Sequence, residues 1–334
     1  MAGSSKIYND ESDLATLPMD RGAGIPYMQD LGKGVFDSSE ALERYVKKCR
    51  MIGLYIPSLV KREDGLNICE KMQSVYNVGA REMVVPAGTD RITGIWGDVK
   101  INKLRINGDC TCVDNSAFYE SGLKELHITH LLKNVGISAF ESSEIMGKLK
   151  AYRIRSIETY GFASVKGLTE VEIGGELRFI GLGGFKCSGL ELLKGRSMNN
   201  GGQSRIMEGA FSHCYKLKRV GIETEISNLG SIAFMEDRSL TEVIMPNVNI
   251  VSNYTWLGCT GLEVLRLDNC KRAGYHITEC CYGLREVSMP NAIGLSKDTF
   301  SKYCHIDKLV CNSSNKQNEK DILAYGNIEE IVYR

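Results

Sequence analysis

Four residues have the side-chain types and approximate spacing of a zinc site: Cys110 and Cys112, two positions apart, and His127 and His130, three positions apart. Thiolates and imidazoles are the usual ligands of tetrahedral zinc. The arrangement is atypical, however, because structural zinc sites use tighter, recurrent ligand pairs. His127 also stands between two aliphatic residues on a predicted strand, whereas the cysteines precede that strand in a loop. We therefore expect no metal and no other cofactor.

Three further patterns that could do chemistry are also incomplete. The adjacent Cys280 and Cys281 suggest redox activity, but vicinal cysteines rarely form a relaxed disulfide. The segment GGELRFIGLGGF lacks the lysine ending of a phosphate loop, so its glycines predict turns. None of the five histidines accompanies a nucleophile in a recognisable setting such as Gly-x-Ser-x-Gly. The sequence predicts a protein that is not an enzyme.

A repeated pattern of aliphatic residues forms the scaffold that must position any binding residues. The pattern is L-x-x-L-x-I, in which each letter stands for any aliphatic residue. In the last five copies its three positions recur every 22 residues, at Leu240, Leu262, Leu284, Ile306 and Ile328, at Val243, Leu265, Val287, Leu309 and Ile331, and at Met245, Leu267, Met289, Cys311 and Tyr333. Looser copies begin at Ile101, Leu123, Leu149 (followed by Tyr152 and Ile154), Leu168, Leu190 and Leu217, and a weak first copy lies at Ala80, Met83 and Val85. About eleven copies of this period predict a leucine-rich-repeat solenoid, in which stacked strands build one long core.

Two further columns of residues accompany the repeat. Six residues before the first aliphatic position stand Phe162, Phe211, Phe234, Trp256 and Phe300, and five residues before it stand Phe118 and Phe185. Three residues before it stand Cys187, Cys214, Cys259 and Cys281, with Met146, Val165 and Tyr303 in the same column of other copies. Free cysteine behaves as a small buried hydrophobe. Both columns therefore predict core positions, on a convex side made of short helical turns.

The segments GAFSHCYKLKRVGI and SLTEVIMPN carry the phrase A-F-x-x-C-x-x-L-x-x-V-x-I-P almost completely. This phrase resembles the repeat of the BspA-like, or Treponema-type, leucine-rich-repeat family. The resemblance implies an α/β repeat solenoid with a parallel strand-lined sheet and helical turns or loops on its convex side. It also implies a binding role, in adhesion, host-surface contact or protein assembly.

The first 77 residues differ from residues 78–334, which we assign to the solenoid. Polar residues 1–34 predict an extended arm, and VFDSSEALERYVKKC predicts a helix with a capping box at Asp37 and Glu40. MIGLYIPSLV predicts a strand, REDG a turn and LNICEKM the returning strand. Two interpretations remain open: a small α+β cap on the first repeat, or a cap with an arm that orders on a partner.

A second resemblance concerns this N-terminal segment. LPMDRGAGIPY followed by the predicted helix and hairpin is similar to the opening segment of virion fibre and tail-associated proteins in phages of gut Bacteroidales. The resemblance implies attachment to capsid or tail proteins through residues 1–40. On this hypothesis the repeats would display a binding surface outward from the particle.

The charge balance restricts the class of partner. Lys and Arg total 41, and Asp and Glu also total 41, so the formal net charge is zero. A general binder of nucleic acid or of anionic membranes needs excess positive charge. The N-terminal residues lack the basic start and apolar centre of a secretory signal, and the sequence lacks an apolar run of transmembrane length. We expect a location in a virion or in the cytoplasm, without membrane insertion.

The outward strand positions are the predicted partner-binding residues: Arg105, His127, Arg153, Glu172, Ile244, Val264, Arg266, Val310 and Val332. Apolar residues rimmed by charge are typical of a protein interface, although scattered aliphatic residues on a solvated sheet are also ordinary. The predicted partners are proteins, with a host-surface protein or glycan on the repeat face, and an oligomer is compatible with the pattern. The leading hypothesis is a non-catalytic binding and assembly protein of a virion. The alternative is a bacterial adhesin or an intracellular interaction scaffold.

Overall fold

The structure is a computed structural model. It describes residues 91–92, 102–106, 110–128, 131–196 and 204–334, together with the backbone of six short strands between residues 35 and 85. The chain forms two compact units, residues 1–145 and 146–334. None of the helices in the described residues is long and apolar enough to cross a membrane.

The strands of the first unit change from antiparallel to parallel pairing. They are Val35–Phe36, Leu54–Tyr55, Val60–Arg62, Gly65–Asn67, Val75–Asn77, Glu82–Val85, Arg91–Ile92, Lys103–Ile106, Cys112–Val113, Glu125–His127 and Asn134–Val135. Glu82–Val85 pairs antiparallel with Val75–Asn77 and parallel with Lys103–Ile106, with Met83 opposite Leu104. The weak first copy of the repeat is therefore in register with the next copy, as predicted.

The predicted hairpin is present, because Val60–Arg62 pairs antiparallel with Gly65–Asn67 around the REDG turn. The single strand predicted over MIGLYIPSLV is wrong. Leu54–Tyr55 pairs with Val75–Asn77 instead, in a different sheet. The predicted arm over residues 1–34 and most of the predicted helix lie outside the described residues.

A parallel sheet of nine strands, here the large sheet, lies in the second unit. Its strands are Gly147–Ala151, Leu168–Ile173, Leu192–Gly195, Arg219–Ile222, Glu242–Ile244, Val264–Arg266, Glu286–Met289, Ile306–Cys311 and Ile328–Tyr333. The second aliphatic position of the repeat faces inward on these strands, where Val171, Val220, Val243, Leu265 and Val287 are buried. The predicted leucine-rich-repeat solenoid is confirmed.

A second parallel sheet, here the small sheet, was not predicted. In the second unit its strands are Ser156–Ile157, Phe179–Ile180, Ser204–Ile206, Ile226–Leu229, Ile250–Val251 and Arg272–Ala273. Each repeat therefore returns through a short strand and a turn rather than through the predicted helical turn. In the described part of residues 146–334, helical structure follows the eighth strand of the large sheet, as a 3-10 helix at Ser313–Asn318 and an α-helix at Glu319–Gly326.

The predicted aromatic column forms a continuous stack in the core. Phe162, Phe185, Phe211 and Phe234 stack in sequence with centroids 5.3–5.4 Å apart, and Trp256 follows at 6.3 Å. All five rings are buried. The stack ends at Thr278, which is buried 22 positions after Trp256. The aromatic column was thus predicted correctly as core over these five repeats.

The predicted cysteine column is partly wrong, because in three repeats the buried side chain lies one position away from the residue three positions before the leucine. The residues three positions after the rings form the inner turn column: Val165, Ser188, Cys214, Asp237 and Cys259. Cys281 and Cys304 continue this column. Cys187 is half-exposed beside the buried Ser188. Met146 and Tyr303 are exposed, and Ile145 and Cys304 are buried next to them.

Cysteine suits the inner turn column because its thiol reaches the previous repeat. Cys214 Sγ donates to the carbonyl of Phe185, Cys259 Sγ to that of Phe234, and Cys281 Sγ to that of Trp256, at 3.0–3.2 Å. Each thiol thereby satisfies a carbonyl in the core. Burial raises the pKa of these three thiols well above its usual value, so they remain protonated at neutral pH.

Each turn contains residues in the left-handed region two positions before the ring. Gly183 and Gly209 occupy this position with φ of 58°, which costs glycine little. Ile232 occupies it with φ of 49°. A β-branched residue in this region is strained, because its Cβ approaches the following carbonyl oxygen.

Candidate binding surface

The large sheet presents two outward columns of side chains, which the register of its strands defines. The first column contains Lys148, Glu170, Leu192, Arg219, Glu242, Val264, Glu286, Lys308 and Glu330. The second contains Lys150, Glu172, Lys194, Gly221, Ile244, Arg266, Ser288, Val310 and Val332. Together they form the face on which the sequence placed most of its candidate binding residues.

The N-terminal part of this face is a lattice of ion pairs. Glu170 accepts hydrogen bonds from Lys148 at 3.3 Å and from Lys194 at 2.9 Å. Glu172 accepts from Lys148 at 2.6 Å and from the hydroxyl of Tyr152. Hydrogen bonds from these lysines hold the pKa of both carboxyls below its usual range. These strands therefore present charges that already have partners.

Glu172, predicted as an exposed binding residue, is only 4% exposed. The register agrees with the predicted outward direction of Glu172, because Glu172 lies opposite Lys150 and Lys194 on neighbouring strands. Its carboxylate is covered by the side chains that donate to it, Lys148 and Tyr152. The prediction that Glu172 offers a free contact is wrong.

Arg153 is also misplaced by the sequence pattern. The aliphatic copy at Leu149 was aligned three positions out of register, because Leu149 pairs opposite Val171 and is a second, not a first, position. The strand ends at Ala151, and Arg153 lies in the following turn. There it forms an ion pair with Glu176 at 2.5 Å. Lys150 occupies the outward position on the strand.

The ion-pair lattice gives way to an apolar region around Gly221. A side chain at Gly221 would meet nothing within 4 Å, so the surface beside it is open. Ile244, opposite Gly221 on the next strand, is half-exposed, as is Val264 one strand further. Arg266 lies opposite Ile244 and pairs with Glu286 at 3.1 Å. We call Gly221, Ile244, Val264 and Arg266 the central patch.

Charged side chains border the central patch. Arg219 and Glu242 lie on adjacent strands with 3.9 Å between their nearest charged atoms. Arg219, Glu242 and Glu286 are each partly or fully exposed. An apolar centre inside a charged rim is the arrangement found in protein interfaces.

The last two strands differ from the prediction at Val310, which is 7% exposed. Its register partners are Ser288 on one side and Val332 on the other. A short branched side chain between two such neighbours, each about 4.8 Å away, loses most of its contact with water. Ile244 escapes this effect because its neighbour Gly221 has no side chain. Val332 is half-exposed, as predicted for an outward position.

Arg105 and His127 lie in the first unit, on strands Lys103–Ile106 and Glu125–His127, where they are register partners and exposed. Glu125 forms an ion pair with Lys103, with 3.0 Å between Oε2 and Nζ, and the same oxygen lies 3.5 Å from His127 Nε2. The hydrogen bond from Lys103 lowers the pKa of Glu125. The structure therefore places these two candidates on one local face, as predicted.

Two possible metal-binding groups have other interactions. Cys110 is buried, with its Sγ 3.5 Å from the carbonyl of Cys112, and His130 lies outside the described residues. Near the C-terminus, His305 Nε2 lies 2.9 Å from Glu329 and 3.5 Å from Asp307. Asn327 Nδ2 donates to His305 Nδ1, which leaves the ring proton on Nε2 to donate to these carboxylates. This exposed cluster is satisfied by its own hydrogen bonds.

A comparison with protein-family models decides the family. The model described as a BspA type leucine rich repeat region matches residues 95–201 and 204–329, in six copies. The chain belongs to the BspA-type leucine-rich-repeat family. Solenoids of this kind generally bind proteins along extended surfaces. A search of curated proteins gives no significant match to this BspA-type chain.

Several solved structures are similar to the BspA-type chain. One is a leucine-rich repeat protein from Bacteroides ovatus, which is 15% identical with a TM-score of 0.38, over 83% of this chain and 90% of that one. Another is the pneumococcal vaccine antigen PcpA, which is 14% identical with a TM-score of 0.32, over 84% and 88%. A third is a leucine rich cell surface protein from Faecalibacterium prausnitzii, which is 14% identical with a TM-score of 0.32, over 79% and 95%. The family assignment depends on the family model alone.

Proposed function

We propose that the chain is a non-catalytic binding protein whose partner, another protein, contacts the outward face of the large sheet at the central patch. One observation carries the proposal: the connected ion pairs of Lys148, Glu170, Glu172 and Lys194 end before Gly221, and half-exposed Ile244 and Val264 then lie between the separate pairs Arg219–Glu242 and Arg266–Glu286. Exposed apolar side chains rimmed by charge mark interaction sites. Membership of a repeat family that binds along its strands supports the same face.

The central patch has the composition that an interface requires. Burial of Ile244 and Val264 would contribute hydrophobic free energy of about 25 cal/mol per Å² of apolar surface. Arg266 adds a planar guanidinium, a group enriched among residues that dominate binding energy. The paired charges around the patch contribute to specificity and association rate more than to affinity.

The test uses the full chain with a photo-crosslinking amino acid at Ile244, incubated with extracts of the source organism or of its host. We expect one protein to crosslink there. Its affinity for the unmodified chain is then compared with that for Ile244→Asp, which should bind at least about tenfold more weakly, because a charge is placed in an apolar contact. Ile293→Asp is the matched control, since Ile293 is an exposed isoleucine outside the strands of the large sheet. Equal affinity of Ile244→Asp and the wild type would refute the proposed surface.

The biological setting of this binding is a further part of the proposal. An adhesin and an intracellular scaffold both agree with a protein-binding repeat face. Attachment to a virion depends on residues 1–40, and the similar structures named above include no virion protein. A chain lacking residues 1–34 distinguishes the settings. Capture of capsid or tail proteins by the full chain, and not by the truncated chain, would support the virion hypothesis, and no capture by either would refute it.

A further inference from the structure

An open groove of about 920 Å³ lies over the small sheet, on a different set of strands from the central patch. Its base follows strands Ser156–Ile157, Phe179–Ile180 and Ser204–Ile206. Three arginines line it, one from each of three successive repeats: the N–H of Arg178 donates to the carbonyl of Arg155, and the N–H of Arg205 to that of Arg178, so that Arg205 is the register partner of Phe179. Consecutive rungs of the solenoid therefore place three guanidinium groups along one groove.

The three arginines differ in how their charge is balanced. Arg155 pairs with Glu176, which also pairs with Arg153. Arg178 and Arg205 are exposed, and neither forms an ion pair with a described residue. Glu158 is the other carboxylate in the lining. The groove thus contains two guanidinium groups that are available to a ligand, with Glu158 and the paired Glu176 also in its lining.

Apolar side chains lie beside these arginines. Leu182 and Met207 line the groove and are 41% and 44% exposed, and Phe179, which is also in the lining, is half-exposed. Large exposed apolar residues in a concave surface are typical of binding sites. Methionine is adaptable and frequent at surfaces that bind peptides.

We propose that this groove binds an extended peptide segment of a partner protein, in which two acidic residues flank an aliphatic one. Arg178 and Arg205 would each receive a carboxylate, and Leu182 and Met207 would contact the aliphatic side chain. Arginine forks match carboxylates in a bidentate geometry. Recognition of acidic motifs by clustered arginines is a general mode of peptide binding.

The spacing of the groove fits such a segment. Neighbouring strands lie about 4.8 Å apart, and alternate residues of an extended peptide lie about 7 Å apart on one side. The arginine side chains are long enough to cover the difference between the spacing of the strands and the spacing of the alternate peptide residues. An acidic pattern of alternating residues would therefore place both carboxylates within reach of Arg178 and Arg205.

The lining favours a peptide over a uniformly anionic polymer. A nucleic acid or a sulfated polysaccharide would bring negative charge to every part of the groove, including Glu158 and Glu176. A peptide can place neutral residues against these carboxylates and acidic residues against the arginines.

The test measures fluorescence polarisation of a labelled twelve-residue peptide of alternating glutamate and leucine with the full chain. A peptide with lysine in place of glutamate and a heparin-derived oligosaccharide serve as comparison probes. We expect the acidic peptide to bind, and its affinity to fall about tenfold for each arginine changed in Arg178→Gln and Arg205→Gln. Met207→Ala should weaken binding as well. Arg272→Gln is the matched control, because Arg272 is exposed on another strand of the small sheet.

Three results would overturn the proposal: no binding of the acidic peptide, equal binding by the Arg178→Gln, Arg205→Gln double variant and the wild type, or tighter binding of the oligosaccharide than of the peptide. Thermal unfolding of each variant shows whether the fold is retained. Glutamine removes the charge without adding a repulsive one beside Glu176, which makes it the milder substitution. Arg178→Lys retains the charge without the guanidinium fork, so weaker binding by this variant separates bidentate recognition from charge alone.

Discussion

The backbone N–H of Cys214 donates a 2.7 Å hydrogen bond to Oδ1 of Asp237, one repeat further along the inner turn column. Asp237 is buried, and its Oδ2 has no hydrogen-bond partner in the described part of the chain. Burial raises the pKa of this carboxyl well above its usual value. The core of the solenoid therefore contains an acid that is stable there chiefly in its protonated form.

The folding free energy should depend on pH through Asp237. The folded pKa of Asp237 lies above its unfolded value of about 3.9. The contribution of this carboxyl to the folding free energy is therefore fully present below that pH, where the carboxyl is protonated, and is lost as pH rises through the folded pKa. We expect Asp237→Asn to melt at a higher temperature than the wild type at pH 8, by several degrees, and the difference to shrink towards pH 4. Thermal unfolding across this range measures it.

The comparison with Asp237→Asn is needed because surface carboxyls have the opposite effect. Hydrogen bonds from lysines lower the pKa of Glu170 and Glu172, so their contribution is present at neutral pH and lost as pH falls. Both proteins share this loss, and the difference between them isolates Asp237. A difference that does not change with pH would contradict the prediction.

The aromatic stack should dominate stability at the centre of the second unit. Phe211 stacks with Phe185 and Phe234 at 5.3 Å on each side. We expect Phe211→Ala to lower the free energy of unfolding by about 3–5 kcal/mol, because it leaves a cavity between two rings. Urea denaturation measures the loss. Tyr215→Ala, at an exposed ring four residues away, should change stability by less than about 0.5 kcal/mol.

Alkylation should separate the cysteines by position. Cys187 and Cys280 are half-exposed, whereas Cys214, Cys259 and Cys281 are buried, with thiol pKa values raised by burial. Only the thiolate reacts readily. We expect iodoacetamide to modify Cys187 and Cys280 in the native protein, and the buried three only in denaturant. Peptide mass spectrometry reads each site, and native modification of Cys259 would show that the inner turn column is not closed.

Relief of backbone strain should stabilise the turn at Ile232. Its φ of 49° costs an L-residue roughly 1–2 kcal/mol, while asparagine tolerates this region. Some apolar burial is lost in exchange, so we expect Ile232→Asn to raise the free energy of unfolding by about 0.5–1 kcal/mol. Ile250→Asn, on a small-sheet strand, should give no gain. A destabilised Ile232→Asn would mean that packing of the side chain outweighs the strain.

The inward positions were predictable because burial repeats with the period of the solenoid. The repeat pattern gives the wrong alignment at Leu149. A register irregularity follows Gly147, and the aliphatic residues after it match the pattern three positions away from the true register. The small sheet was missed because its strands mostly span two to four residues, too few to show alternation. Its signal was nevertheless present, since Ile157, Ile180 and Ile206 each stand five residues before a core ring.

The candidate surfaces were less predictable than the core. Sequence spacing gives the direction of Glu172 and Val310, but their exposure depends on the length of neighbouring side chains on other strands. Val310 and Ile244 differ in accessibility for the same reason. The presence of Arg178 and Arg205 in one groove depends on the pairing of a sheet that was not predicted. A single repeat therefore contains too little information to define a binding face.

The rung-by-rung hydrogen bonding of the second unit has a mechanical consequence. Each strand of the large sheet bonds to the adjacent repeat about 22 residues away, and the thiols of Cys214, Cys259 and Cys281 bond to the previous repeat across 25 to 29 residues. A pulling force applied at the C-terminus would thus act on one repeat at a time. Each rung released would add about 7–8 nm of extended chain. Under tension this molecule would lengthen in regular steps and dissipate work at each of them, rather than rupture in a single event.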